Sequence, residues 1–166
     1  MRTSRYEVAL AIALIFSLPS TSQAAQNPAL PNHSLTPGAT NPAVTQATIG
    51  STICVVGYTK TIRPPASYTN KLKRTQLDSG YNYQGDLDMR NYEEDHLIPL
   101  EIGGSARSVA NLWPEPRRIA QGAAMKDKLE NKLHLLICSG QITLKIAQQA
   151  FAVNWIAGYK KYIGAI

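Results

Sequence analysis

Between residues 92 and 116 the chain reads YEEDHLIPLEIGGSARSVANLWPEP, two short apolar runs divided by a glycine pair and a polar turn. This pattern predicts two short strands, about 93–100 and 111–113, joined through a wide turn at 103–110. Pro99 cannot donate to a ladder, which places it at an edge or in an irregular position. Downstream the period changes from two to that of a helix. Over 121–139, Met125, Leu129, Leu133, Leu136 and Ile137 recur at helical spacing and Gly140 supplies the stop. A last helix is predicted over 143–162, with Ile146, Ala150, Val153, Ile156 and Ala157 as its buried stripe and with Trp155, Tyr159 and Tyr162 as packing residues.

Upstream, STICVVGYTKTI predicts a short strand interrupted at Gly57 and stopped by Pro64 and Pro65. SYTNKLKRTQL predicts a helix, with Tyr68, Leu72 and Gln76 or Leu77 one turn apart and Ser67 or Thr69 as its cap. Its other face carries Lys71, Lys73 and Arg74 and is expected to be solvated. The fold class that follows is α+β: a hairpin packed on the helix that begins near Gln121, with the last helix covering the core. No internal repeat or heptad is visible.

The chain divides into three parts. In residues 1–24, Arg2 and Arg5 precede an apolar run over 8–18, and PSTSQAA follows. These are the charged, apolar and small-residue regions of a secretory signal peptide, and the run is well short of the roughly twenty residues a spanning helix needs. Cleavage is expected after Ala24, or else after Ala25. An uncleaved anchor is the alternative. Residues 25–48 hold Pro28, Pro31, Pro37 and Pro42 and no charged group, which predicts a flexible linker. Residues 49–166 form the expected domain, long enough to close one core.

Export bears on the two cysteines. In an oxidising compartment Cys54 and Cys138 are expected to be joined, tying the first strand to the end of the 121–139 helix. Closing a loop of this size is worth roughly 4 kcal/mol in the chain-entropy model. Two buried thiols are the alternative; metal ligation ranks lower, neither cysteine being credited with a second cysteine or a histidine at ligand spacing. Removing two Arg and one Glu with residues 1–24 takes the net charge from +6 to +5. A moderately basic chain favours polyanionic partners, although charge alone is weak evidence.

Candidate chemistry concentrates at Glu93, Glu94, Asp95 and His96. Successive strand residues point to opposite faces, so Asp95 and His96 cannot both enter a core. A carboxylate that holds a divalent cation, beside an imidazole that takes a proton from water, is the minimum equipment for hydrolysing a phosphodiester. Taken alone such a pair also fits a surface or capping contact.

Asp95-His96, Gly103-Gly104 and Asn111-Leu112, in that order and followed by a helix, resemble the HNH, or ββα-metal, endonuclease family. The likeness covers about 92–135 and extends more loosely, through ICVVGYTKTIRPP and AQQAFAVNWIAGYKKY, to a subgroup of exported bacterial HNH-like proteins. It implies a ββα-metal core in which His96 is the catalytic base, Asp95 a metal ligand and Asn111 the residue that ties the hairpin and orients the histidine. Glu94 and Glu101 would stand behind these, or are ordinary surface charges.

One departure concerns the helix start, where the family places a second ligand. Gln121, Gly122 and Ala123 offer none, and Asp127 is the nearest oxygen donor, with Asn131 and His134 following on the same helix face. Arg117, Arg118 and Lys126 are the expected nucleic-acid contacts. The resemblance thus implies a periplasmic or secreted endonuclease, dependent on a divalent metal such as Mg²⁺, of low sequence specificity, acting on DNA in preference to RNA, with no stable membrane insertion. The alternative is a catalytically degenerate module of the same frame that binds nucleic acid or envelope polyanions without cleaving them. A structural envelope protein is a third.

Overall fold

The computed structural model describes residues 27–166, so the expected signal segment and its cleavage site lie outside the described residues. Among the described residues four helices accompany one two-stranded antiparallel sheet, an α+β arrangement. In chain order they are α1 (Tyr58–Ile62), α2 (Ala66–Asp78), β1 (Tyr92–His96), β2 (Leu112–Pro116), α3 (Ala123–Cys138) and α4 (Leu144–Tyr162). The strands pair from Tyr92 opposite Pro116 to His96 opposite Leu112.

β1 stops at His96, earlier than expected, because Pro99 begins a short 3-10 turn over Leu100–Ile102. In the loop beyond, a Cβ on Gly104 would stand 1.7 Å from the Ile98 carbonyl oxygen, so only glycine fits there.

α3 and α4 match the predicted helices to within two residues. On α3, Leu129, Leu133 and Ile137 are wholly buried and Met125 and Leu136 pack at the margin. On α4 the predicted stripe is out of phase. Leu144, Ala147, Phe151, Trp155 and Ile156 face the core, whereas Ile146 and Val153 are exposed. Asn154, at φ −167° and ψ 97°, interrupts the helix, yet Ala147, Phe151, Trp155 and Tyr159 keep one phase across it; apolar residues lie on both faces of α4, and the period alone does not select the one that packs. Trp155 and Tyr159 are packing residues as expected.

The predicted strand at the start of the domain is absent: Ile49–Ser51 form a 3-10 turn, and Val55 and Val56 are exposed. Gly57, at φ 87°, turns the chain directly into α1. α2 begins at Ala66 behind Pro65 without a side-chain cap. Its supposed solvated face is also revised, since Lys73 is buried and donates to the carbonyls of Met89 (3.2 Å) and Tyr92 (3.0 Å).

The largest revision concerns the expected linker. Residues 27–48 lie along the domain as a strap. Ala29 and Val44 are buried in the core, Gly38 N–H donates to Ala110 (2.8 Å), and Asn41 N–H donates to Gly103 (2.8 Å). Ser105 N–H donates back to Ala39, and the Trp155 indole donates to Ala29 across 126 residues (2.7 Å). A proline-rich segment has few donors of its own, but its carbonyls and scattered amides find partners on the hairpin loop and α4. Cys54 and Cys138 form the expected disulfide, with Cα atoms 5.6 Å apart, tying the turn before α1 to the end of α3. Among the described residues no helix is long and apolar enough to cross a membrane.

Candidate active site

The end of β1 delivers Asp95 and His96 to different surroundings. His96 is 4% exposed, and its Nε2 lies 3.0 Å from the Ala106 carbonyl oxygen. A carbonyl can only accept, so Nε2 carries hydrogen and Nδ1 is the lone-pair nitrogen of the neutral ring. Burial holds His96 below its ordinary range, against the opposing pull of Asp95. The ring is therefore neutral near pH 7 and able to accept a proton.

Asn111, wholly buried, holds that arrangement from behind. Its Oδ1 accepts from the amides of Ile98 (2.9 Å) and Ala39 (3.3 Å), and its Nδ2 donates to the carbonyls of Ile98 (2.9 Å) and Ser105 (3.0 Å). It thereby fixes the loop whose next carbonyl, at Ala106, receives His96. Asn111 touches loop backbone and not the imidazole, so it orients the histidine indirectly.

His96 lines an open cleft of about 260 Å³ shared with Arg63, Lys73, Glu93, Glu94 and Arg117. Three cationic residues thus border the face that carries the imidazole. Both Glu94 carboxylate oxygens are buried without a hydrogen-bond partner. Burial pushes Glu94 up to about 8, against the opposing charge of Lys73, so it is mostly protonated at neutral pH. Arg117 pairs with Glu93 at 3.0 Å on the rim and remains half exposed.

Asp95 faces another set of groups. Lys126 Nζ lies 2.5 Å from Asp95, 2.6 Å from Glu130 and 3.5 Å from Glu115, and the Lys126 side chain has no exposed surface. Glu115, also wholly buried, is too far for a short hydrogen bond to that nitrogen and instead meets the Asp95 carboxylate, a contact that favours the charged form of Asp95 and the protonated form of Glu115. Burial raises Glu115 well above the usual carboxylate range and lifts Glu130 to about 8. Burial would raise Asp95 too, but the Lys126 ammonium overrides it and brings Asp95 to about 2. In turn burial works against the charge on Lys126, while Asp95 and then Glu130 and Glu115 hold its pKa well above the ordinary value. One ammonium and one carboxylate are therefore the charged forms at the centre, with protonated acids around them.

These contacts correct several sequence assignments. Lys126, expected to touch nucleic acid, is inaccessible. Arg117 does border the His96 cleft, whereas Arg118 lines a separate hollow of about 500 Å³ with Tyr83, Gln84 and Asp86. Asp127 is exposed, with its backbone carbonyl accepting from Asn131 (2.8 Å), and it is Lys126 and Glu130 that reach Asp95's surroundings from α3. Glu101 is raised by burial against the pull of His134, and it does not line the cleft. Arg63, Glu115 and Glu130 were not singled out from sequence. The one local signal was the four-residue spacing of Lys126 and Glu130 on one helix.

The residues around Asp95 do not fit a divalent ion as they stand. The carboxylates have the donor chemistry for one, but Lys126 Nζ fills their common centre, where Mg²⁺ would require oxygens at about 2.0–2.1 Å. A second group with metal-holding spacing lies elsewhere. Ligand atoms of Cys54, His134 and Cys138 all lie within 4.8 Å of one another. His134 stands one turn before Cys138, which corrects the view that neither cysteine has a histidine at ligand spacing. Its Nε2 donates to the Ile53 carbonyl (2.8 Å), and the two sulfurs are bonded to each other, so thiolate ligation requires reduction first. No family model, curated protein or solved structure matches the chain.

Proposed function

We propose that the protein is an exported hydrolase of nucleic-acid phosphodiester bonds, a ββα-type endonuclease of low sequence specificity. The observation that carries this reading is the pairing of His96 and Glu94 in one cationic cleft, with the base pushed down and the acid pushed up by burial. Environments that drive two titrating groups apart in this way suit them to opposite proton-transfer roles. They stand two residues apart on β1, about 6.6 Å along the strand, so that a phosphate can lie between them.

Arg63 and Arg117 attract and hold the phosphate oxygens, and the Lys73 ammonium, held by two backbone carbonyls, adds positive charge behind them. His96 Nδ1 takes a proton from water as the water oxygen bonds to phosphorus. The bond to the leaving oxygen breaks, and that oxygen receives the proton of Glu94. Asn111 keeps the Ala106 carbonyl, and with it the imidazole, in place. The resemblance implies a divalent ion such as Mg²⁺ at Asp95, but no step here passes through one.

The disulfide suits an oxidising compartment, and with the charge and apolar pattern of residues 1–24 it supports a periplasmic or secreted location. A catalytically degenerate binding module remains the second reading, favoured by the Lys126 ammonium beside Asp95. Nicking of supercoiled plasmid DNA by purified protein tests the first, with short RNA as a parallel substrate. Cleavage that His96→Ala abolishes supports it. Folded His96→Ala cleaving as fast as the parent overturns it, and salt-sensitive DNA retention without breaks selects the binding module.

A further inference from the structure

Asp95 on β1, Glu115 on β2 and Glu130 on α3 bring three carboxyl groups to one point. Converging oxygen donors from separate elements are the usual setting of a hard cation. Here the cation belongs to the chain. We propose that Lys126 is a built-in counter-ion: its ammonium occupies the place beside Asp95 where a ββα-metal site would hold a divalent ion, and the protein works without a dissociable metal there. The functional half of this inference rests on the hydrolytic reading above; the cation half stands on the geometry alone.

The packing keeps that ammonium where it is. Lys126 has no exposed surface, and the Phe151 ring covers it with its centroid 5.9 Å from Nζ. α3 can approach the hairpin this closely because Gly122 precedes it. A Cβ there would stand 2.7 Å from the Pro116 carbonyl oxygen and 2.8 Å from that of Arg117. A divalent ion entering beside Asp95 would have to expel a buried ammonium from its ion pair with Asp95 and its 2.6 Å contact with Glu130, whose side chains are themselves only 17% and 16% exposed. An ammonium also differs in what it can do. It neutralises Asp95 and fixes the end of β1 electrostatically, but it offers no open coordination position to a water or phosphate oxygen.

Titration of the purified protein with Mn²⁺, read by electron paramagnetic resonance, tests the cation half without reference to activity. The wild-type protein is expected to show no saturable binding that depends on Asp95. Lys126→Met, or Lys126→Ala, is expected to gain one Mn²⁺ site at least about a hundredfold tighter, as removal of a unit charge a few ångströms from the ion requires at intermediate dielectric. Adding Asp95→Asn should remove that site. If neither Lys126 variant folds, the comparison of wild type with Asp95→Asn decides. One Mn²⁺ bound by wild type and lost in Asp95→Asn overturns the inference.

Plasmid cleavage in excess chelator tests the functional half. Unchanged cleavage supports it. Cleavage abolished by chelator and restored by Mg²⁺ overturns it while leaving the hydrolase reading intact. Absence of cleavage under every condition overturns the hydrolase reading and the metal-free hydrolysis that rests on it, and the Mn²⁺ titration then decides the place of Lys126.

Discussion

Substituting Glu94 by glutamine keeps the side chain's shape and removes its titration. In the folded protein Glu94 loses its proton at about 8 instead of the ordinary 4.5. Between those values the folded chain retains a proton that the unfolded chain has released. The unfolded state therefore binds fewer protons, and stability falls as pH rises across the window. Full benefit is present below 4.5 and is lost on passing through about 8. At about 1.4 kcal/mol per pH unit the whole interval is worth at most about 5 kcal/mol, and relaxation around a group beside an open cleft reduces this to roughly 2–4 kcal/mol. Urea unfolding at several pH values from 5 to 9 measures it. Glu115 and Glu130 slope in the same direction, so the informative quantity is the difference between parent and variant. Glu94→Gln is expected to gain on the parent by those 2–4 kcal/mol between about pH 5 and 8. Parallel curves would refute the assignment of a buried, protonated Glu94, and with it the proton donor of the proposed reaction.

His96→Ala is expected to lower turnover by about 10²–10⁴-fold with the fold retained by circular dichroism. Because burial depresses His96 below 6.5, the acidic limb of the parent's rate profile should lie below that value; a limb above it contradicts the assignment. Asn111→Ala strips partners from four backbone groups, two of the contacts buried and two part-buried, and should cost about 2–4 kcal/mol in urea unfolding, with a smaller loss of rate than His96→Ala. Reducing the Cys54–Cys138 bond should lower stability by roughly 4 kcal/mol, read from the shift in urea midpoint with and without reductant.

Strongly periodic segments were legible in the sequence: α2, α3 and α4 follow apolar spacing, and the hairpin follows from its runs and glycine pair. Asp95, His96 and Asn111 stood out through their residue types and the resemblance, and the structure brings His96 and Asn111 to one loop and Asp95 to Lys126; their part in a reaction belongs to the proposal above. What escaped depended on contacts distant in sequence. The ammonium of Lys126 meets Asp95 from 31 residues away, and no local pattern distinguishes a lysine with such partners from a solvated one. Lys73 escaped likewise, because two backbone carbonyls satisfy it where an exposed helix face was expected. The stripe of α4 was misjudged because apolar residues lie on both of its faces, Ile146 and Val153 on the exposed one, so periodicity alone does not choose between them.

The strap over 27–48 also sets an order of events during biogenesis. Its Ala29 carbonyl is held by Trp155, so the first described segment to be synthesised waits for nearly the last before it can settle. Helices α3 and α4 can form locally, but the core they share with Ala29 and Val44 closes only over long chain separations, which slows folding. A nascent chain interrupted before residue 155 lacks the indole that anchors the strap. Such a chain cannot close the core it shares with the strap, and the Cys54–Cys138 bond, which spans 84 residues, likewise waits until the end of α3 has been made.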